Sequence, residues 1–283
     1  MSQHASAGTQ QQADQIRSAW DAIAAGYDEH VTPTHMPLAN EALEHIDIRP
    51  GTRFLDVAAG SGALGLAAAQ RGAEVLGTDI SPKMIDRLNE TARRSGVANL
   101  TGQVMDGQDL DLADDAFDAS GSMFGVMLFP DLPRGLSEMT RVTKPGGKVL
   151  MVTFGPPQKI EFLGFFLGAV KRVIPDFAGL PMDPPPLPFQ VADPEKLRQA
   201  MSDDGLRDVR VETTTETQEF ASADHLWTWI SSSNPIGAKL TGSLPPDKAT
   251  SVRDVLGAML RERAGGNGPA HLTNPINIAI GTA

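Results

Sequence analysis

The sequence predicts an α/β fold, a mainly parallel sheet covered by helices on both faces. Three observations carry that prediction. Apolar, β-branched runs alternate with helical patterns from about residue 52 to 154. A glycine-rich turn, Gly60-Ser-Gly62-Ala-Leu-Gly65, follows the first run and opens a helix. Beyond residue 155 the rhythm changes, yet the long alternating run "DVRVETTTETQEF" and the last run "NPINIAIGTA" read as strands that rejoin the sheet. Strand–helix alternation of this kind buries a sheet on both sides.

The elements follow in order. Residues 1–12, rich in Gln, Ser and Ala, read as a disordered tail. Ile16, Trp20, Ile23 and Ala24 recur at helical spacing, predicting a helix that ends near Gly26. "TPTHMP" reads as a loop, and Leu38 to Ile46 as a second helix stopped by Pro50-Gly51. "TRFLDVA" is a buried strand, "GALGLAAAQRG" a helix closed by Gly72, and "AEVLGTDI" a second strand. Ser81 caps a helix with Pro82 in its first turn. "NLTGQVMD" and "AFDASGSMFGVM" hold strands three and four; "LPRGLSEMTRVT" is a helix, "KPGG" a turn, "KVLMVTF" a fifth strand. Then come an apolar helix (160–174), the Pro-rich loop "PMDPPPLP" and helices at 194–201, 223–231 and 249–263.

Composition narrows the function. The 283 residues are 41% hydrophobic and 21% charged, enough for a sizeable core. A net charge of −11 argues against nucleic acid and anionic membranes as partners. The absence of cysteine excludes disulfides, thiolate metal sites and cysteine nucleophiles. No apolar run reaches the ~18 residues of a membrane span, and no secretory leader is visible, so a cytoplasmic protein is expected.

Gly60, Gly62 and Gly65 satisfy the dinucleotide fingerprint literally, which would make the chain an NAD(P)-dependent oxidoreductase. Two features favour a nucleoside without a pyrophosphate. About 50 residues precede the turn, and Asp56 at the strand end would repel phosphate but suit a cationic ligand. Asp79, ending the second strand, stands where an acid grips ribose hydroxyls in either reading. The G-x-G-x-x-G spacing itself then reads as incidental.

At this point "FLDVAAGSGALGL", "EVLGTDISPKMI", "GQVMDGQDLDLADDAFDA" and "EMTRVTKPGGKVLMVTF" together resemble the class I S-adenosylmethionine-dependent methyltransferases, near the ubiquinone/menaquinone-biosynthesis and type 11 groups. Ala58 replaces the first glycine of that family's Asp/Glu-x-Gly-x-Gly-x-Gly pattern. The resemblance implies a Rossmann-like, seven-stranded, mostly parallel sheet with N-terminal helices and a helical substrate cap. It implies one domain over 13–283: N-terminal helices (13–50), a cofactor-binding core (51–155), and substrate-shaping segments (156–192 and 222–272). It implies S-adenosyl-L-methionine as cofactor. Ala58, Gly60 and Gly62 would line its methionine part, with Asp56 near the ammonium. Asp79 would hold the ribose, with Ile80 on the adenine; Asp106, Gly107 and Gln108 would surround the base. Ser122 and Met123 would flank the methionine moiety or the methyl group, and Tyr27 would close over the cofactor.

Methyl transfer needs alignment, exclusion of water and, for a hydroxyl or acidic carbon, a base. His30 and His35, in the expected loop after the first helix, and His225 are the base candidates; each also reads as an ordinary surface or core histidine. Phe162, Phe165, Phe166, Trp227 and Trp229 read either as core or as an apolar acceptor cavity. The expected acceptor is a small apolar or aromatic molecule, with no metal; a monomer or homodimer is expected. A non-catalytic cofactor-binding member of the fold is the remaining alternative.

Overall fold

The computed structural model describes residues 2–181 and 183–283, with side chains from residue 11 onward. A single seven-stranded sheet has the order β3-β2-β1-β4-β5-β7-β6. Its strands are β1 (Arg53–Val57), β2 (Glu74–Asp79), β3 (Leu100–Val104), β4 (Phe117–Met123), β5 (Thr143–Phe154), β6 (Arg207–Phe220) and β7 (Ala270–Thr282). The first five pair in parallel. β7 runs antiparallel between β5 and β6. Strand order reverses beside β1, so the carboxyl ends of β1, β2 and β4 open on a crevice.

Local chemistry sets the helices that frame this crevice. α3 (Ala63–Gln70) starts from Gly62, whose φ of 98° is a left-handed conformation. α4 (Pro82–Arg94) is capped by Ser81 Oγ, which accepts from Met84 N at 3.1 Å. α5 (Leu132–Val142) is capped the same way by Asp131. α6 (Glu161–Val173), α7 (Pro194–Asp203), α8 (Ala223–Ser233), α9 (Pro235–Gly242) and α10 (Pro246–Arg263) follow. Two apolar cores result. Phe54, Leu55, Leu64, Leu88, Leu136 and Met139 lie in the first, under the parallel strands. Phe166, Leu226, Trp227, Leu256 and Leu272 lie in the second, between β7 and helices α6, α8 and α10.

Two local expectations are corrected, and two helices add to the sequence reading. α1 spans Ser2–Gly26 and takes in a first stretch rich in Ala and Gln, which are good helix formers. "TPTHMP" is not a loop: a π-helical turn, Tyr27–Val31, runs straight into α2 (Thr32–Glu44). Pro33 falls in the first turn, where a missing N–H costs nothing, and Pro37 is carried inside the helix. "KPGG" forms a bulge within β5, between the pairings Phe117–Thr143 and Ala119–Lys148. α9, capped by Asn234, was not legible as a separate helix.

Candidate functional site

The turn after β1 is fixed by buried acids. Asp56, 1% exposed, accepts from Gly65 N at 2.8 Å through Oδ2. It thereby satisfies a free N–H in the first turn of α3. Its Oδ1 is buried with no protein partner. Asp79 accepts from Ser81 N through Oδ1 and from Gly60 N through Oδ2, both at 2.9 Å. Burial lifts the Asp56 carboxyl from an ordinary 3.8 to about 8, the Gly65 N–H drawing it back and the Asp79 charge adding. Burial likewise lifts Asp79 to about 6, against two backbone N–H groups and with help from Asp21. Two acids this close, both short of solvent, favour a cationic occupant.

The glycine spacing has structural causes. A Cβ on Gly60 would lie 3.3 Å from the Tyr27 ring, and one on Gly65 would lie 3.1 Å from Asp56 Oδ2. The spacing thus has a packing cause in the turn that is independent of any dinucleotide. Ala58 takes a φ of 54°, the left-handed conformation a glycine would adopt without strain.

These groups open on a cleft of about 200 Å³. Tyr27, Ala58, Gly60, Asp79, Ile80, Asp106, Gly107, Gln108 and Met123 all face it. Asp56, Gly62 and Ser122 stand behind its wall; Ser122 Oγ accepts from Val126 N at 3.0 Å. Asp106 also holds a local turn, accepting from Gln108 N at 2.9 Å. Gln12, Ala13, Ile16 and Trp20 of α1 cover the cleft as well. Sequence reading assigned them no site role; the apolar Ile16/Trp20 pair, outside the strand–helix repeat, was the available signal. Arg17 Nε donates to Ile80 O at 3.3 Å, and Ser81 Oγ to Asp21 Oδ1 at 2.5 Å, holding α1 against the β2–α4 turn.

A second, smaller chamber, of about 40 Å³, shares Trp20, Tyr27, Phe124 and Leu128 with the cleft. His35, Phe154, Phe162 and Trp229 are among its further walls. His35 therefore lies in a helix facing this chamber, not in a loop. α2 is fixed there by a Thr32–Ser61 hydroxyl pair and by Arg71 holding Asn40 Oδ1 at 2.7 Å. Trp229 Nε1 donates to Thr34 Oγ1 at 3.2 Å, tying α8 to α2. Gln190 Nε2 donates to Met127 O at 2.7 Å, drawing the Pro-rich segment over the chamber. His30 lies away from both cavities, near Glu29, as does exposed His225, whose Nδ1 accepts from Ala221 N. Phe166 and Trp227 are core, and Phe165 packs against that core. Among the described residues no cluster of three His, Cys, Asp or Glu suits a metal ion, and no helix is long and apolar enough to cross a membrane.

A family model described as a methyltransferase domain matches residues 54–147. A demethylmenaquinone methyltransferase of Corynebacterium urealyticum is 30% identical over 170 residues, 58% of this chain and 70% of that protein. A Mycobacterium tuberculosis protein described only as uncharacterized is 36% identical over 150 residues, 53% of this chain and 52% of its own length. The chain thus spans about half the length of the first curated relatives it matches. Phosphoethanolamine N-methyltransferase 2 of Haemonchus contortus, solved with S-adenosyl-L-methionine, shares the fold: the TM-score is 0.52 at 18% identity, over 87% of this chain and 52% of that one.

Proposed function

We propose that this chain, which belongs to the class I S-adenosylmethionine-dependent methyltransferase family, transfers a methyl group to a small apolar or aromatic acceptor. The observation that carries the reading is the junction of two cavities. An acid-floored cleft suited to a cationic nucleoside meets a largely apolar chamber at Trp20, Tyr27, Phe124 and Leu128.

The cleft fits the family's cofactor on features of this chain. Asp79 keeps lone pairs free beyond its two backbone bonds, and would take the ribose hydroxyls. Asp106, Gly107 and Gln108 would surround the adenine, with Ile80 against its face. Ala58 and Gly60 would line the amino-acid part, with the bare Oδ1 of Asp56 behind them supplying negative potential for the ammonium. Met123 would flank the methyl group from the cleft, and Ser122 would hold the backbone after β4 rather than touch the ligand. Tyr27, whose phenol burial and the Asp79 and Asp56 charges keep neutral, would close over the site.

When bound, the cofactor supplies an electrophilic methyl on a sulfonium. The protein's part is then to orient, to exclude water and to present the acceptor. The helix α1, held by Arg17 and Asp21, serves as the roof that keeps solvent out. The segments 156–192 and 222–272 would shape the acceptor side, through Phe162, Pro188 and Trp229. Calorimetric titration with S-adenosylmethionine and S-adenosylhomocysteine tests the reading, with methyl-labelled cofactor and a metabolite extract to capture the acceptor. Binding of neither nucleoside would sink it.

A further inference from the structure

His35 is the polar anomaly of the second chamber. Its ring is 4% exposed and sits among aromatic rings: Phe124 at 4.9 Å, Tyr27 at 6.3 Å and Trp229 at 6.4 Å between centroids. Its Nε2 is buried without a hydrogen-bond partner. A buried, unpaired ring nitrogen costs ~1–3 kcal/mol unless something bound there satisfies it. The walls suit a flat ring: Phe124 and Phe154 stack at 4.5 Å with 23° between planes, and Phe162 meets Trp229 edge-on at 4.8 Å. His35 and Tyr27 are the only titratable groups on those walls among the described residues.

Resting on the methyl-transfer reading, we propose that this chamber binds a planar aromatic or enolic ring bearing a hydroxyl, and that His35 Nε2 accepts the hydroxyl proton as that oxygen takes the methyl. The acceptor oxygen forms its bond to the methyl carbon as the carbon–sulfur bond breaks, sulfur keeping that pair. The O–H pair stays on oxygen, the proton passes to Nε2, and the imidazolium returns it to water. Burial holds the imidazolium pKa at about 4, so the ring is neutral and ready to accept near neutral pH. Weak basicity is no obstacle, because the oxygen's proton becomes strongly acidic as the C–O bond forms. Proton transfer is therefore late. Ser233 and Asn234, at the end of α8, supply the chamber's remaining polar edge.

The test uses the full chain loaded with S-adenosylhomocysteine and two probes, 2-naphthol and naphthalene, followed by calorimetry and tryptophan fluorescence. Wild type should bind 2-naphthol about tenfold or more tighter than naphthalene, the value of one satisfied buried acceptor. His35→Phe should bind the two alike. The conservative His35→Gln should keep part of the preference, and 2-naphthol should shift the His35 Nε2 resonance in wild type. Nucleoside affinity, read on each variant, reports that the fold is intact. Naphthol preference that survives in His35→Phe, or nucleoside-loaded protein that ignores 2-naphthol, would overturn the proposal. Loss of nucleoside affinity in wild type, with the His35-dependent naphthol preference intact, would instead overturn the methyl-transfer reading and leave the chamber's chemistry standing.

Discussion

Asp79 should make cofactor binding depend on pH in a way its neighbours let one calculate. The ribose-holding form is the carboxylate, and this carboxyl titrates at about 6 in the free protein, because it is buried and faces Asp21. The apparent dissociation constant then rises by the factor 1 + 10^(pKa − pH). That is negligible near pH 7.5 and about elevenfold near pH 5, a loss of ~1.4 kcal/mol. Calorimetry at constant ionic strength across that range measures it. Asp79→Asn should be weaker throughout, by about 10- to 100-fold, and should lose the step centred near pH 6, since the carboxyl that titrates there is gone. Asp21→Asn removes a like charge and should move the midpoint down. The sign for stability is the reverse. A carboxyl that holds its proton more tightly in the native state loses stability as pH rises from about 3.8 towards 6, so the unliganded wild type should be less stable at neutral pH than near pH 4 on this account. Wild-type affinity that stays level between about pH 5 and 7.5, or an identical slope in Asp79→Asn, would refute the reasoning.

Other outcomes follow from single contacts. Glu216, 9% exposed and lifted by burial to about 7, should lose stability as pH rises from about 4.5 to 7. Glu216→Gln should therefore gain on wild type in urea near pH 8, by at most ~3 kcal/mol, and little near pH 5; parallel urea midpoints at both would count against it. A Cβ on Gly125 would fall 2.5 Å from the Ala58 Cβ and 2.8 Å from its carbonyl oxygen. Gly125→Ala should thus cost ~1–3 kcal/mol in thermal unfolding and weaken S-adenosylhomocysteine binding together. Ala58→Gly relieves a left-handed backbone but adds chain entropy to the unfolded state, so a net change within ~1 kcal/mol is expected; a large loss of cofactor affinity would show that the methyl side chain itself matters. Arg17→Ala should speed dissociation of the nucleoside in stopped-flow by releasing α1 from Ile80, while leaving the melting temperature nearly unchanged.

The parallel half of the sheet was legible because each strand is a short apolar run closed by punctuation: Pro50-Gly51 before β1, Gly72 before β2, Asn99 before β3. The acids that floor the cleft were legible for the same reason, since a residue's place at a strand end fixes where its side chain emerges. What was hidden was helical phase. Two prolines in "TPTHMP" look like loop punctuation, yet one sits in a first turn and the other is tolerated inside α2. That misreading placed His35 in a loop beside His30, where the structure has a helix face lining an aromatic chamber. No local pattern announces that Trp229, 195 residues away, hydrogen-bonds the neighbouring Thr34. Tertiary contacts of that kind decide which histidine is buried, and they are absent from a window of sequence.

The glycine turn shows why a motif can match one chemistry and serve another. Gly65 is needed because its N–H must reach Asp56 Oδ2 and a Cβ would crowd that oxygen. Gly62 is needed because α3 starts from a left-handed residue packed on Leu88. Neither requirement mentions a pyrophosphate. Both arise wherever a strand turns sharply into a helix with an acid tucked under its first turn. The spacing therefore reports the turn, and the charge beneath the turn reports the ligand. With Asp56 and Asp79 buried together and each raised in pKa, an anionic phosphate would push them further towards the neutral acid, whereas a sulfonium and an ammonium would draw them back to the carboxylate form.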